Sequence, residues 1–183
     1  IRDTSYADVG LFGRVGPGAT LTGIRLTGVA INATAEYAGV LAGRVEGSAE
    51  KPVVISHCTA AGNIRNSGIH VGGLVGFITY THITHCHTQC NVTAIGNSAY
   101  VGGVTGFIFP GATVVACSAT GTVSATSSYE LCAGGLAGVN DGNSYYFLAT
   151  GKGTASTTST VCAGGFIGHN YHSGTITGRY STA

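Results

Sequence analysis

The stretch Gly72-Gly73-Leu74-Val75-Gly76 decides the fold, because motifs like it recur at five other places along the chain. Each copy carries an apolar residue two positions before a closing glycine. The closing glycines are Gly13, Gly43, Gly76, Gly106, Gly138 and Gly168, which are 30, 33, 30, 32 and 30 residues apart. A regular period of this length is typical of repeat architectures, in which each unit buries its apolar face against its neighbours.

A second motif lies between these copies and consists of an apolar run that ends in cysteine. Its three copies are Val54-Ile55-Ser56-His57-Cys58, His82-Ile83-Thr84-His85-Cys86 and Thr113-Val114-Val115-Ala116-Cys117. Six residues after each cysteine comes another apolar residue, which is Ile64, Val92 or Val123. Each repeat therefore predicts about three short strands that are separated by Gly, Asn or Ser turns.

Stacking these repeats predicts an all-β fold, a right-handed parallel β-solenoid (β-helix) of about six rungs in a single domain over residues 1–183. Equivalent apolar residues would then form ladders. The main predicted core ladder is Leu11, Leu41, Leu74, Val104, Leu136 and Phe166. Two further ladders are Ile55, Ile83 and Val114, and Ile64, Val92 and Val123. A β-propeller is the alternative, but its blades need four strands and about 40 residues each.

The combination of Gly72-Gly73-Leu74-Val75-Gly76 with an apolar residue, a cysteine and a Gly-x-Val step resembles the GLUG repeat. Such repeats occur in bacterial surface adhesins and in the non-catalytic part of immunoglobulin A-cleaving metallopeptidases. The resemblance covers residues 40–183 well and the first 40 residues loosely. It implies a solenoid displayed at a cell surface and no catalytic site within the repeats.

The composition limits the classes of partner and the cellular setting. Charged residues make up 8% of the chain and the net charge is +1, so nothing attracts nucleic acid or an anionic membrane. No apolar stretch approaches the roughly 20 residues that span a bilayer. The sequons at Asn32 and Asn91 predict N-glycosylation and, with six cysteines, favour a secreted protein at the cell surface. The chain opens on Ile1, so a mature fragment or an excised segment is expected.

The cysteines predict disulfide bonds. Cys132 and Cys162 occupy the same repeat position in adjacent units, and stacked neighbours about 5 Å apart lie within disulfide range, so this pair is expected to be bonded. Cys58, Cys86 and Cys117 form a ladder of three, in which Cys86 has two possible partners. If Cys86 bonds Cys58 or Cys117, the other could pair with Cys90 or remain a buried small apolar residue, and the sequence leaves this connectivity open.

No catalytic site, metal site or cofactor is expected. The seven acidic residues are scattered, whereas hydrolysis needs paired carboxylates or a Ser/His/Asp set. Zinc ligands crowd between His82 and Cys90, but strand alternation puts His85 and His87 on the face opposite Cys86. These imidazoles, with His57 one rung away, are therefore expected to lie on the surface.

The largest aromatic run along the sequence is Tyr145-Tyr146-Phe147. It is expected to pack at a corner with at least one ring exposed, and a contact to a partner or a sugar is the alternative reading.

The two chain ends suggest a function. The C-terminal piece Gly174-Thr175-Ile176-Thr177-Gly178 resembles the first half of a repeat, and the N-terminal piece Tyr6-Ala7-Asp8-Val9-Gly10 resembles the second half. No polar cap is visible. We therefore expect a structural subunit of an extracellular filament or surface appendage that assembles head-to-tail with copies of itself, with glycans as further partners. The alternative is an adhesion or ligand-binding module of a larger surface protein. Ice binding is disfavoured because Thr-x-Thr does not stay in register between repeats.

Overall fold

A computed structural model describes residues 2–3, 7–171 and 173–178, and for residues 2–3 it describes the backbone alone. The regular structure of these residues is entirely β, in 24 short strands. In chain order the strands are β1 (Arg2–Asp3), β2 (Asp8–Val9), β3 (Phe12–Val15), β4 (Thr20–Thr22), β5 (Arg25–Ala33), β6 (Tyr37–Gly39), β7 (Ala42–Glu46), β8 (Val53–Ser56), β9 (Thr59–Asn66), β10 (His70–Gly72), β11 (Val75–Thr79), β12 (Thr81–Thr84), β13 (His87–Gly102), β14 (Thr105–Ile108), β15 (Thr113–Val115), β16 (Ser118–Ala119), β17 (Val123–Gly134), β18 (Ala137–Asn140), β19 (Asn143–Tyr145), β20 (Leu148–Ala149), β21 (Gly153–Thr157), β22 (Thr160–Gly164), β23 (Ile167–Asn170) and β24 (Thr175–Thr177).

The strands form three sheets in which every described pairing is parallel. Sheet B has the order β23-β18-β14-β11-β7-β3 and sheet C the order β24-β19-β15-β12-β8-β4. Sheet A contains the other 12 strands. The chain passes from sheet B to C to A and back to B once per repeat. The predicted parallel β-solenoid of about six turns is confirmed.

Residues that stack in successive turns form columns, and the apolar inward-facing columns make the core. Ile83 pairs with both Ile55 and Val114, which confirms one of the two shorter predicted ladders. Val92 pairs with both Ile64 and Val123, which confirms the other.

The column of the glycine motif is buried in the inner turns and open at the outer ones. Leu41, Leu74, Val104 and Leu136 are fully buried. Leu11 is 52% exposed, and Phe166 is partly buried. The difference follows from position, because a residue in an outermost turn has a stacking neighbour on one side only.

The closing glycines hold sheet B close to sheet A at the corner that joins them. A Cβ atom on Gly106 would lie 2.6 Å from the Tyr100 carbonyl oxygen, 2.7 Å from that of Gly76 and 2.7 Å from the Val71 nitrogen. These distances are shorter than any side chain tolerates. Glycine at this position therefore lets the outward faces of the two sheets meet across the corner.

Candidate functional site

Two columns of outward-facing side chains meet at this corner, and we call the feature the outer cleft. The sheet A column consists of the residues two positions before the first glycine of each copy of the glycine motif, namely Asp8, Tyr37, His70, Tyr100, Cys132 and Cys162. The sheet B column consists of the residues that follow the closing glycines, namely Arg14, Arg44, Phe77, Phe107, Val139 and His169. The chemical character of the cleft changes from one end of the solenoid to the other.

The middle of the outer cleft is an aromatic cluster outside the core. The His70 ring stacks on Tyr37 with centroids 4.8 Å apart and planes inclined by 10°. Across the cleft, Phe77 meets His70 edge-on at 5.5 Å, and Phe107 meets Tyr100 at 5.6 Å. Such edge-on and stacked pairs are favourable beyond the area that they bury. The cluster therefore joins sheets A and B through their outer faces.

Burial in this cluster changes the acid–base behaviour of His70. Desolvation, together with the smaller effect of the positive charge of Arg44, lowers the pKa of its imidazole from 6.5 to about 4. Its Nδ1 atom has no hydrogen-bond partner among the residues that the structure describes. His70 therefore acts as a neutral aromatic ring at ordinary pH and not as a surface cation.

The N-terminal end of the cleft is charged. Arg44 lies over the Tyr37 ring, 4.8 Å from its centroid, and its Nε is 3.4 Å from Glu46 and 3.9 Å from Asp8. Glu46 also forms an ion pair with Arg14. Glu46 therefore pairs with two arginines, whereas desolvation raises the pKa of the Asp8 carboxyl against the opposing charge of Arg44.

The C-terminal end of the cleft brings two thiols and an imidazole together. Cys132 and Cys162 lie directly opposite each other on β17 and β22. His169 on β23 lies across the corner from Cys162, and its Nδ1 is 3.9 Å from the Cys162 Sγ. One potential ligand atom from each of the three residues lies within 4.8 Å of the others. Among the described residues this is the single such grouping of His, Cys, Asp or Glu side chains.

The three residues lie in a partly desolvated environment that includes a nearby carboxylate. Burial raises the pKa of the Cys132 thiol to about 12, with smaller contributions from Cys162 and the Glu130 carboxylate. Glu130 accepts a hydrogen bond from the Tyr100 hydroxyl at 3.0 Å. Tyr171 stacks on the His169 ring with centroids 4.3 Å apart, which fixes the orientation of the imidazole.

All six cysteines have free thiols in this structure. The disulfide between Cys132 and Cys162 stays a prediction, and their direct pairing is compatible with it. Cys58, Cys86 and Cys117 are buried in one column, where the Cys58 N–H donates to the Cys86 sulfur at 3.4 Å. Their connectivity also stays open.

Cys90 lies apart from that column. Its Sγ donates to the carbonyls of Ala60 and Gly73, both at 3.4 Å, and burial raises its thiol pKa to about 11.

The histidines considered for zinc do not converge. His57 and His85 are exposed and stack on each other, with ring centroids 5.1 Å apart. The Nδ1 atoms of His82 and His87 each lie 2.7 Å from a hydroxyl, those of Thr113 and Ser118 respectively. The expected surface imidazoles are confirmed for His57 and His85, whereas His82 and His87 are half-buried.

The aromatic run divides as alternation requires. Phe147 is buried and stacks on Phe166 at 3.7 Å, whereas Tyr146 is 65% exposed. The prediction of corner packing with at least one exposed ring is confirmed.

Both sequon asparagines have exposed side chains. The Asn91 amide donates to Asn63 at 3.0 Å, and its oxygen accepts a hydrogen bond from the Thr122 hydroxyl at 2.8 Å. Glycosylation of Asn32 and Asn91 stays a prediction.

The outer cleft was missed from the sequence because its members are far apart along the chain. The aromatic residues Tyr37, His70 and Tyr100 are about 30 residues apart, and none is part of an aromatic run. An alignment of the repeats places these three residues in one column with Cys132 and Cys162, because each lies two positions before the first glycine of its glycine motif.

Comparison with known proteins gives one weak similarity. A segment of the chain is 33% identical over 85 residues to Halomucin from Haloquadratum walsbyi. The match covers 46% of this chain and 1% of Halomucin. No protein-family model matches, so the resemblance to GLUG repeats stays a prediction. No solved structure matches either. Among the described residues, no helix is long and apolar enough to cross a membrane.

Proposed function

We propose that this chain is a non-enzymatic structural module of an extracellular surface protein, and that its two end faces stack with further solenoid turns. The observation that carries the proposal is the exposure of apolar residues at both ends. Phe12 is 37% exposed at the first turn and Val161 is 44% exposed at the last, whereas their column neighbours Ala42 and Leu131 are fully buried. Another turn on each face would bury these residues as the inner turns bury theirs.

The 85-residue similarity to a segment of Halomucin supports the extracellular setting to the extent that its name denotes a mucin. The low charge and the two sequons agree with that setting. The contacts of two acidic groups support a non-enzymatic role, because Glu46 pairs with Arg14 and Arg44, and Glu130 accepts a hydrogen bond from Tyr100.

A tandem fusion of two copies in one polypeptide tests the stacking of the end faces. If the faces stack, nearest-neighbour coupling raises the unfolding midpoint of the fusion above that of the single chain. Identical midpoints would show that the two copies fold as independent units, and the proposed stacking of the end faces on turns of this repeat would then be wrong. Circular dichroism follows the unfolding transition of the fusion and of the single chain, at the same molar concentration of solenoid copies.

A second candidate is the head-to-tail filament of identical chains, which one specific observation favours. The edge strand of sheet C at one end, β4, reads Thr20-Leu21-Thr22, and the edge strand at the other end, β24, reads Thr175-Ile176-Thr177. Continuing the register of sheet C from one copy to the next would place Leu21 over Ile176 and threonines over threonines. Parallel strand addition of this kind generates an open, growing assembly.

Blocking one face at a time tests the filament. Leu21→Glu and Ile176→Glu should each give monomers, and an equimolar mixture should give dimers and nothing longer, because each dimer then has two blocked outer faces. Tyr129→Glu is the control, since Tyr129 is 68% exposed and belongs to neither edge strand. Sedimentation velocity measures the species. A wild-type chain that stays monomeric at high concentration would contradict the filament and leave the module proposal intact.

A further inference from the structure

We infer that Cys132, Cys162 and His169 form a binding site for a thiophilic metal ion of the zinc type at the C-terminal end of the outer cleft. The inference is independent of the proposed function. It begins from position, because the three side chains come from three strands, β17, β22 and β23, and converge at one corner.

The distances suit a shared ion. Tetrahedral zinc with Zn–S bonds of about 2.3 Å and Zn–N bonds of about 2.0 Å separates its ligand atoms by roughly 3.5–3.8 Å. The Cys162 Sγ and the His169 Nδ1 are 3.9 Å apart, and all three ligand atoms lie within 4.8 Å of one another. Side-chain shifts of less than about 1 Å complete the first three positions of a tetrahedron.

The donor set selects the class of ion. Two thiolates and an imidazole are soft or borderline ligands, which favour Zn²⁺ over Mg²⁺ or Ca²⁺. Binding breaks two S–H bonds, forms two metal–sulfur bonds and releases the two protons to solvent. The nearby Glu130 carboxylate adds negative charge that favours a cation. Because Cys162 and His169 are only partly buried, the fourth position is open to a water molecule.

The backbone is built so that the imidazole can reach the thiols. A Cβ atom on Gly168 would lie 2.6 Å from the Ala133 nitrogen and 2.8 Å from the Cys162 carbonyl oxygen. Glycine therefore allows β23 to lie against β22 and brings the next residue, His169, over Cys162. Tyr171 then stacks on the His169 ring and holds its plane. In the two preceding turns, Phe107 and Val139 occupy the column position of His169 and offer no ligand.

The same two sulfurs can form a disulfide, and a disulfide excludes the metal. The experiment therefore starts with the full chain under a reductant that does not bind metals, titrated with Co²⁺ as a spectroscopic substitute for Zn²⁺. We expect one Co²⁺ per chain with thiolate-to-cobalt charge-transfer absorption, which one equivalent of Zn²⁺ abolishes. Oxidation to the disulfide should remove the signal, and reduction should restore it.

The variants separate the site from the other thiols. Cys162→Ser should lose the thiolate absorption or reduce it to that of a single thiolate, and His169→Gln should weaken binding at least tenfold. Cys90→Ala is the matched control, because Cys90 is a buried thiol that bonds elsewhere, and it should bind like the wild type. Circular dichroism establishes that each variant is folded.

Three results would overturn the inference. One is a folded, reduced wild-type chain without thiolate absorption. Another is a Cys162→Ser spectrum that equals that of the wild type. The third is a disulfide between Cys132 and Cys162 that opens only when the chain unfolds.

Discussion

Replacing Gly106 with alanine tests the close approach of sheets A and B on which the outer cleft depends. The added Cβ would lie 2.6–2.7 Å from three atoms of three different residues, all of them backbone. Backbone atoms cannot rotate away, so relief requires sheet B to move away from sheet A across neighbouring turns. Overpacking of this kind costs about 1–3 kcal/mol, and Gly106 belongs at the upper end. Alanine regains about 0.4–1 kcal/mol by restricting the unfolded chain. The net expectation is a loss of about 2 kcal/mol.

Gly153→Ala is the matched control, because a Cβ atom at Gly153 meets nothing within 4 Å. Its expected effect is within about 0.5 kcal/mol of neutral, or a small stabilisation. Urea unfolding of the reduced chain, followed by circular dichroism, gives the midpoints and slopes of both variants. If Gly106→Ala and Gly153→Ala have the same midpoint, the close approach at the closing glycines does not limit the fold and the reasoning is wrong.

Three further predictions concern the outer cleft and the thiols. Because burial lowers the pKa of His70 from 6.5 to about 4, between these pH values the unfolded chain binds a proton on His70 that the folded chain does not. His70 should therefore reduce the free energy of unfolding as the pH falls from 6.5 to 4, and it should have no such effect above pH 6.5. In His70→Phe, the urea midpoint should depend less on pH over that range. Phe107→Ala should lower the free energy of unfolding by about 2 kcal/mol, which is less than the loss expected for a fully buried phenylalanine because Phe107 is half-buried. The exposed Tyr129 is the control, and Tyr129→Ala should change the free energy of unfolding by less than about 0.5 kcal/mol. In the folded, reduced chain, iodoacetamide should alkylate Cys162 well before Cys90, as measured by peptide mass spectrometry, because Cys162 is partly exposed and Cys90 is buried with its pKa raised to about 11.

The fold could be predicted because stacking converts a sequence period into a spatial neighbour. Once Cys86 and Cys117 are aligned, Ile83 and Val114 each lie three residues before the cysteine, and they are therefore expected to stack in parallel register. The spacing of the second motif likewise places Val92 between Ile64 and Val123. Inward positions accept few residue types, so their pattern is visible in a single sequence.

The outer cleft could not be predicted so easily, because outward positions are not constrained to be apolar. Along one column the side chain changes from Tyr37 to His70, Tyr100 and then Cys132, so no single residue type marks the column in the sequence. Strand alternation identifies these residues as outward-facing, but it does not say that a second sheet faces them. That contact depends on the corner angle, which the closing glycines set through backbone packing.

The contrast between inward and outward columns explains how one solenoid can carry a local site without a change of fold. A residue in a solenoid contacts mainly the turns above and below it, so a substitution at an outward position is felt by two neighbours and not by the whole domain. Cys132, Cys162 and His169 come from two successive turns, and Val139 shows that the preceding turn supports the same backbone without a ligand. A bound ion would consequently stabilise β17, β22 and β23 locally and leave the first turns unaffected. Hydrogen exchange of the metal-loaded and metal-free chain should show protection confined to the last two turns, and protection spread evenly along the solenoid would contradict this nearest-neighbour view.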